Sequence, residues 1–242
     1  MKTMLLAGAA ALALCVSGGA QAAQQPMMNA GGVRGTAHPV HHGPSNGFNA
    51  LYDQNFASGA YGFFSQTLSS YPQYDEYLAD DFTVPAGHNW KVKEVDVTGF
   101  YYIETGPATS VNVLFWRSKP ADLPRPRTPK AECDNIMPTS GISTGVFVIR
   151  LPATCLVKLK GGTAGTTYWM TVQANLAGPF TSGYWAWSSN ATVNGNMASA
   201  YDYGGSVTTN DPRCYVKFES INDCYGDGAI DLAFALYGTD NS

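Results

Sequence analysis

The chain has 242 residues, 45% of them hydrophobic and 13% charged, with a formal charge of −4. Average globular chains carry about 25% charged residues, so the composition disfavours salt-bridged helices and favours strands joined by turns. A net acidic chain lacks the Lys and Arg surplus that neutralises phosphates, which excludes nucleic acid as an expected partner.

Residues 1–23 read as a secretory signal peptide. Lys2 supplies the positive start, Met4 to Val16 the apolar core, and Ala20-Gln21-Ala22 a small-x-small cleavage site. That apolar run is shorter than the about 20 residues of a membrane span, and no later segment is long enough, so the expected location is secreted (extracellular or periplasmic). Cys15 follows Leu12-Ala13-Leu14, with Leu where a bacterial lipobox has Gly or Ala, which favours soluble export. Setting Cys15 aside, Cys133, Cys155, Cys214 and Cys224 remain, an even set that reads as two disulfides with three connectivities open. Pairs Cys133–Cys155 and Cys214–Cys224 are favoured because each brackets one local excursion. Each closure is worth roughly 3 kcal/mol on the chain-entropy model. Zinc is the rival reading, and no CxxC spacing supports it.

Residues 24–47 lack hydrophobic periodicity and are broken by Pro26, Gly31-Gly32, Gly35, Pro39 and Gly43-Pro44, which predicts a flexible leader. His38, His41 and His42 cluster there. Clustered imidazoles can chelate zinc or copper, but an ordered site also needs a second layer of hydrogen bonds to orient the rings, so a solvated linker is expected. From Phe48 the pattern becomes dense. Leu51-Tyr52 and Ala60 to Phe64 form an irregular first strand, and Tyr74 to Leu78 suggests one helical turn. Three successive strands of a sheet follow: one opening at Asp81, one from Trp90 to Gly99, and one from Ser110 to Arg117. Val92, Val95, Val97, Val111, Val113 and Phe115 supply their β-branched and aromatic side chains.

Lys119 to Lys130 holds Pro120, Pro124, Pro126 and Pro129 and must lie on a rim or beside an edge strand, since Pro cannot donate to a ladder. Arg125, Arg127 and Lys130 make it the local basic cluster. Further strands are predicted over Gly145 to Leu151, Cys155 to Leu159, Thr166 to Asn175, Tyr184 to Ser188, Tyr215 to Phe218 and Asp231 to Tyr237, with a softer stretch from Asn190 to Gly205. The expected fold is all-β, a two-sheet antiparallel β-sandwich of the jelly-roll kind, forming one domain over residues 48–240.

The runs ADDFTVPAGHNWKVKEVDVTGFY, SVNVLFWRS, TTYWMTVQAN and DLAFALYG resemble uncharacterised exported bacterial jelly-roll modules of the galactose-binding-like group, which includes P-domain-like modules. The likeness covers most of residues 60–238. Such modules carry an LPG-like turn after the third strand; here Leu123-Pro124 is followed by Arg125 in a longer loop. The group hosts glycan binders, adhesins and structural modules, so fold alone does not select among them. The resemblance implies a structural calcium ion tying first and last strands, with Asp80, Asp81 and Asp231 as ligands; Asp223 and Asp227 flank a weaker second possibility.

Chemistry is sparse elsewhere. His88 is the sole histidine of residues 48–240 and falls in a Gly87-His88-Asn89 turn, and Glu94, Asp96, Glu104, Asp202, Glu219 and Asp231 show no spacing that selects a glycosidase pair. Aromatic rings beside amides suit sugar recognition, so Tyr184, Trp185, Trp187, Asn190, Tyr201 and Tyr203, with Asn194 and Asn196, are the candidate ligand-binding residues; the bland reading is core packing. Trp90, Trp116 and Trp169 are assigned to the core or its edge. Asn190-Ala191-Thr192 matches a glycosylation acceptor. The expected function is a non-catalytic exported module binding a glycan or cell-surface or matrix component. The alternatives are a structural or adhesive surface protein without small ligand, and a secreted hydrolase.

Overall fold

A computed structural model describes residues 32–35, 47–55, 61–103, 106–119, 122–125, 128–176, 183–203 and 209–242. The predicted signal peptide and the three leader histidines lie outside the described residues. Strands follow one another along the chain: β1 (Val33–Arg34), β2 (Asn49–Asp53), β3 (Tyr61–Phe64), β4 (Gln66–Leu68), β5 (Glu76–Val84), β6 (Asn89–Val97), β7 (Gly99–Tyr102), β8 (Ser110–Lys119) and β9 (Leu123–Pro124). The second half adds β10 (Ala131–Ile136), β11 (Phe147–Arg150), β12 (Val157–Lys160), β13 (Thr166–Leu176), β14 (Tyr184–Asn190), β15 (Ser199–Asp202), β16 (Glu219–Ser220), the short helix α1 (Ile221–Tyr225), β17 (Asp231–Leu232) and β18 (Phe234–Asp240).

These strands build an all-β sandwich. One layer is an eight-stranded sheet in the order β10-β8-β13-β4-β5-β15-β16, with β9 on the edge of β8 and β13 also pairing β5. The other is made of two five-stranded sheets, β11-β6-β18-β2 with β12 on β6, and β1-β3-β14-β17 with β7 on β14. A single residue separates β6 from β7 and β17 from β18. Thr98 N–H donates to Ala233 O and Ala233 N–H to Ser188 O, so the two smaller sheets run into each other. Pairing is antiparallel except between β13 and β4.

The three successive strands of the sequence reading do not share one sheet. β5 and β8 belong to the large layer and β6 to the other. The crossing is made at Pro85 to His88: His88 N–H closes a turn on Pro85 O, with Gly87 at φ +80° where L side chains are strained. That crossing lets Phe82 meet Trp90 across the core, ring centroids 6.1 Å apart, with Phe234 at 6.3 Å. One interior joins both layers, from Val111, Val113 and Phe115 to Val95, Val97, Phe147 and Leu236. Val92 and Val95 both reach it because the register of β6 against β18 slips between Tyr237 and Gly238; beyond the slip, Glu94 and Asp96 alternate with Val95 and Val97.

Three local expectations are corrected. Tyr74 to Leu78 is not helical: a 3-10 turn over Pro72–Tyr74 ends at Asp75, and β5 starts at Glu76, where pairing with β15 overrides local propensity. Tyr215 to Phe218 is not a strand. Pro212–Tyr215 is a 3-10 turn capped by Asp211, whose side chain accepts from Arg213 N–H. Within the predicted leader, Val33–Arg34 forms β1 on β3. Cys133 and Cys155 pair, as do Cys214 and Cys224, with Cα separations of 5.7 and 5.9 Å.

Candidate functional site

The outer face of the large sheet carries an aromatic groove of about 390 Å³. Period-two alternation explains its contents. On β5, Leu78 and Phe82 enter the core, leaving Tyr77 and Ala79 outside; on β8, Val113 and Phe115 go in, leaving Leu114 and Trp116 out. Tyr201 of β15 sits opposite Tyr77 in register, and the rings stack at 5.6 Å and 27°. Phe218 closes one end, edge-on to Trp116 at 5.5 Å and against Tyr201 at 5.6 Å. Tyr203 stands at right angles to Tyr201, centroids 6.0 Å apart, and is 60% exposed. Pro129, Glu132 and exposed Val216 complete the rim.

The segment bearing Phe218 is pinned locally. The Cys214–Cys224 bridge ties it to α1, and Lys217 and Arg213 both pair with Glu219. α1 is capped by Ser220, which accepts from Asp223 N–H, and ends at Gly226 in the left-handed region. Burial, then the nearby Asp75 carboxylate, pushes the Tyr77 phenol up to about 12. It stays protonated and can donate a hydrogen bond at neutral pH. The groove therefore offers flat rings, phenol donors and the Glu132 carboxylate as acceptor.

The candidate residues divide between this groove and the interior. Tyr201 and Tyr203 line the groove. Trp185 and Trp187 do not: both are fully buried, Trp185 stacked on Phe147 at 5.0 Å with Nε1–H donating to Gly145 O, and Trp187 donating to Ala233 O. Their shared face is the inner face of β14, which corrects the expected stacking platform. Tyr184 is buried against Phe64 at 5.1 Å. Asn190 is buried too, Nδ2 donating to Gln54 O and Oδ1 accepting from Thr192 N–H, which also removes it as an accessible glycosylation acceptor.

Asp80, Asp81 and Asp231 form a buried acidic lattice. Asp80 Oδ2 accepts from Gln54 Nε2 at 2.7 Å and Leu232 N–H at 2.6 Å, and Oδ1 from Asp81 N–H. Asp81 accepts from the backbone and side chain of Asn196. Asp231 Oδ2 accepts from Asn194 N–H, while its Oδ1 is buried without a hydrogen-bond partner. Burial pushes all three carboxyls up, Asp231 to about 7 and Asp81 to about 6, with Asp231 raising Asp80 further. Consecutive residues of β5 leave the strand on opposite faces, each oxygen of Asp80 and Asp81 accepts an N–H, and among the described residues no three acidic, His or Cys side chains converge as metal ligands. Asn194 N–H and the backbone and side-chain donors of Asn196 hold these carboxylates. Asp227, of the weaker set, accepts from Tyr61 OH and Gly32 N–H.

His88 Nδ1 meets Asp240 Oδ2 at 2.5 Å on the rim, and among the described residues no serine, threonine or cysteine hydrogen-bonds the ring. The sequence reading missed Gln54, whose amide joins β2 to Asp80 and Leu232; nothing in its local context marks it. No family model and no curated protein matches the chain.

Proposed function

We propose that this protein is an exported, non-catalytic module of the galactose-binding-like kind that binds a glycan of a cell surface or matrix in the Tyr77–Tyr201–Tyr203 groove. The observation that carries the reading is Tyr203, which holds an aromatic face in solvent at the mouth of a preformed aromatic cleft, edge-on to a second tyrosine. Aromatic side chains bring large apolar area with a polar tip and few rotatable bonds, a combination suited to a ring whose faces are C–H and whose edges are hydroxyl. Export is supported by the amino-terminal pattern together with two disulfides, which persist in oxidising compartments. Among the described residues no helix is long and apolar enough to cross a membrane.

The test is affinity electrophoresis of the full chain through a panel of neutral and charged polysaccharides. Tyr203→Ala is expected to weaken retention by about ten-fold, of the order of one lost aromatic contact, with an unchanged melting temperature because Tyr203 is exposed. Retention by none of the panel, or retention indifferent to Tyr203→Ala, refutes the groove.

A further inference from the structure

A second cleft, of about 840 Å³, opens where the two layers meet at the end of the sandwich. Arg117 at the end of β8, Lys130 before β10, and Lys158 and Lys160 of β12 line it, against one acid, Asp122. Four positive charges face one negative charge, in a chain whose overall balance is −4. None of the four forms an ion pair among the described residues; the pairs present involve His88, Arg150, Arg213 and Lys217. Along the sequence, basic residues cluster at Arg125, Arg127 and Lys130. The structure instead groups Lys130 with cations more than ten residues away on either side.

β12 makes the grouping regular. Val157 and Leu159 enter the core while Lys158 and Lys160 alternate with them on the open side, so two ammonium groups recur about 7 Å apart along one strand edge. Arg117 adds a planar fork that can take two oxygens of a carboxylate or sulfate at once. Thr166 and Thr167 of β13 also line it. Like charges gathered without partners repel one another, and an anionic ligand relieves that repulsion.

We propose that this cleft is an anion-recognition site for an acidic polysaccharide, a polymer carrying uronate carboxylates or sulfate esters. The cleft sits near the upper end of the about 300–1,000 Å³ common for ligand pockets, far more than one inorganic anion fills. Its cations are spaced, as charges on successive sugars are. The one aromatic ring on its lining, Tyr168, is buried and both donates to and accepts from the Lys160 backbone, leaving no platform for nucleic-acid bases to stack on. Its concave shape does not meet a flat membrane. The proposal stands apart from the tyrosine groove, since the two share no lining residue.

The experiment measures binding of the full chain to polygalacturonate, to dextran sulfate and to neutral dextran of matched length, by biolayer interferometry in low salt. It is repeated in the Tyr203→Ala background so that the groove cannot supply the signal. Binding to one or both acidic polymers and not to dextran is expected, falling as salt rises. Lys158→Gln with Lys160→Gln should raise Kd by about ten-fold or more, as loss of two charge-assisted contacts implies. Both side chains are exposed, and an unchanged melting curve will show that the fold is kept. Polygalacturonate alone assigns carboxylate recognition, and dextran sulfate alone assigns sulfate. No binding to either polymer, binding indifferent to the double substitution, or tighter binding to duplex DNA or to phosphatidylglycerol vesicles overturns the proposal.

Discussion

Asp96 should make the protein lose stability as pH rises. The carboxyl projects from β6, is 2% exposed, and has neither oxygen hydrogen-bonded. Glu94 lies two residues before it on the same strand, Asp53 comes from β2, Tyr237 from β18, and Arg150 from β11 with Nη2 3.7 Å from Glu94. Burial, then Glu94, then Asp53, pushes Asp96 from 3.8 up to about 7. The native state thus keeps a proton that the unfolded chain releases near its ordinary value. Between those two limits the folded form binds more protons, and stability falls as pH rises. The cost is about 1.5 kcal/mol at pH 5 and about 4 kcal/mol at pH 8, a difference of roughly 2.5 kcal/mol. Asp96→Asn keeps the shape and cannot ionise. In urea unfolding followed by tryptophan fluorescence, its advantage over the wild type should grow by about that amount from pH 5 to pH 8. The contributions of Asp80, Asp81 and Asp231 are common to both proteins and cancel in the comparison. An advantage that stays constant across this range would refute the reasoning.

Two further outcomes separate core from site. Trp185→Ala should cost about 3–5 kcal/mol, because it empties the space against Phe147 and leaves Gly145 O unbonded; a variant that lost polysaccharide retention at wild-type stability would restore Trp185 as a platform. Calcium should leave the melting temperature at pH 7 unchanged within a degree or so, since N–H donors already hold Asp80 and Asp81. A rise of several degrees with calcium, reversed by chelator, would show that the acidic lattice opens to take an ion.

The inner faces were legible because their signal is local. Period two in Val111, Val113 and Phe115, and again in Phe147 and Ile149, needs no knowledge of partners, and the structure buries all five. Cysteine spacing was enough to order four thiols into the two bridges present. Layer assignment was not legible: β5 and β6 look like neighbours in sequence, yet a four-residue turn serves a hairpin and a change of layer equally well. Exposure of aromatics failed for a similar reason. Tyr-Trp-Ala-Trp-Ser in β14 and Ser-Ala-Tyr-Asp in β15 both alternate, and alternation names two faces without saying which is inside. β14 lies between β3 and β7 with its tryptophans inward, whereas β15 turns Tyr201 outward beside Tyr77.

The outer surfaces of the two layers then take different roles. Beside β6, Thr98 Oγ1 donates to Asn55 Oδ1 and Asn55 N–H to Asp53 Oδ1, and Glu94 and Asp96 of the strand are buried. Burial there raises the cost of ionising Asp96 without presenting charge to a ligand. The large sheet does the reverse. Phe218 closes one end of the groove on its outer face and is itself 1% exposed, packed against Tyr77, Trp116 and Tyr201, while Tyr203 stays open to solvent. Pro129 lines the tyrosine groove and its neighbour Lys130 the basic cleft, as Trp116 and Arg117 do one strand away. Adjacent residues on β8, pointing to opposite sides by the geometry of an extended chain, thus supply one cleft with an aromatic wall and the other with a guanidinium. That sets two unlike surfaces on opposite faces of one strand, whose backbone fixes the aromatic wall of one relative to the guanidinium of the other.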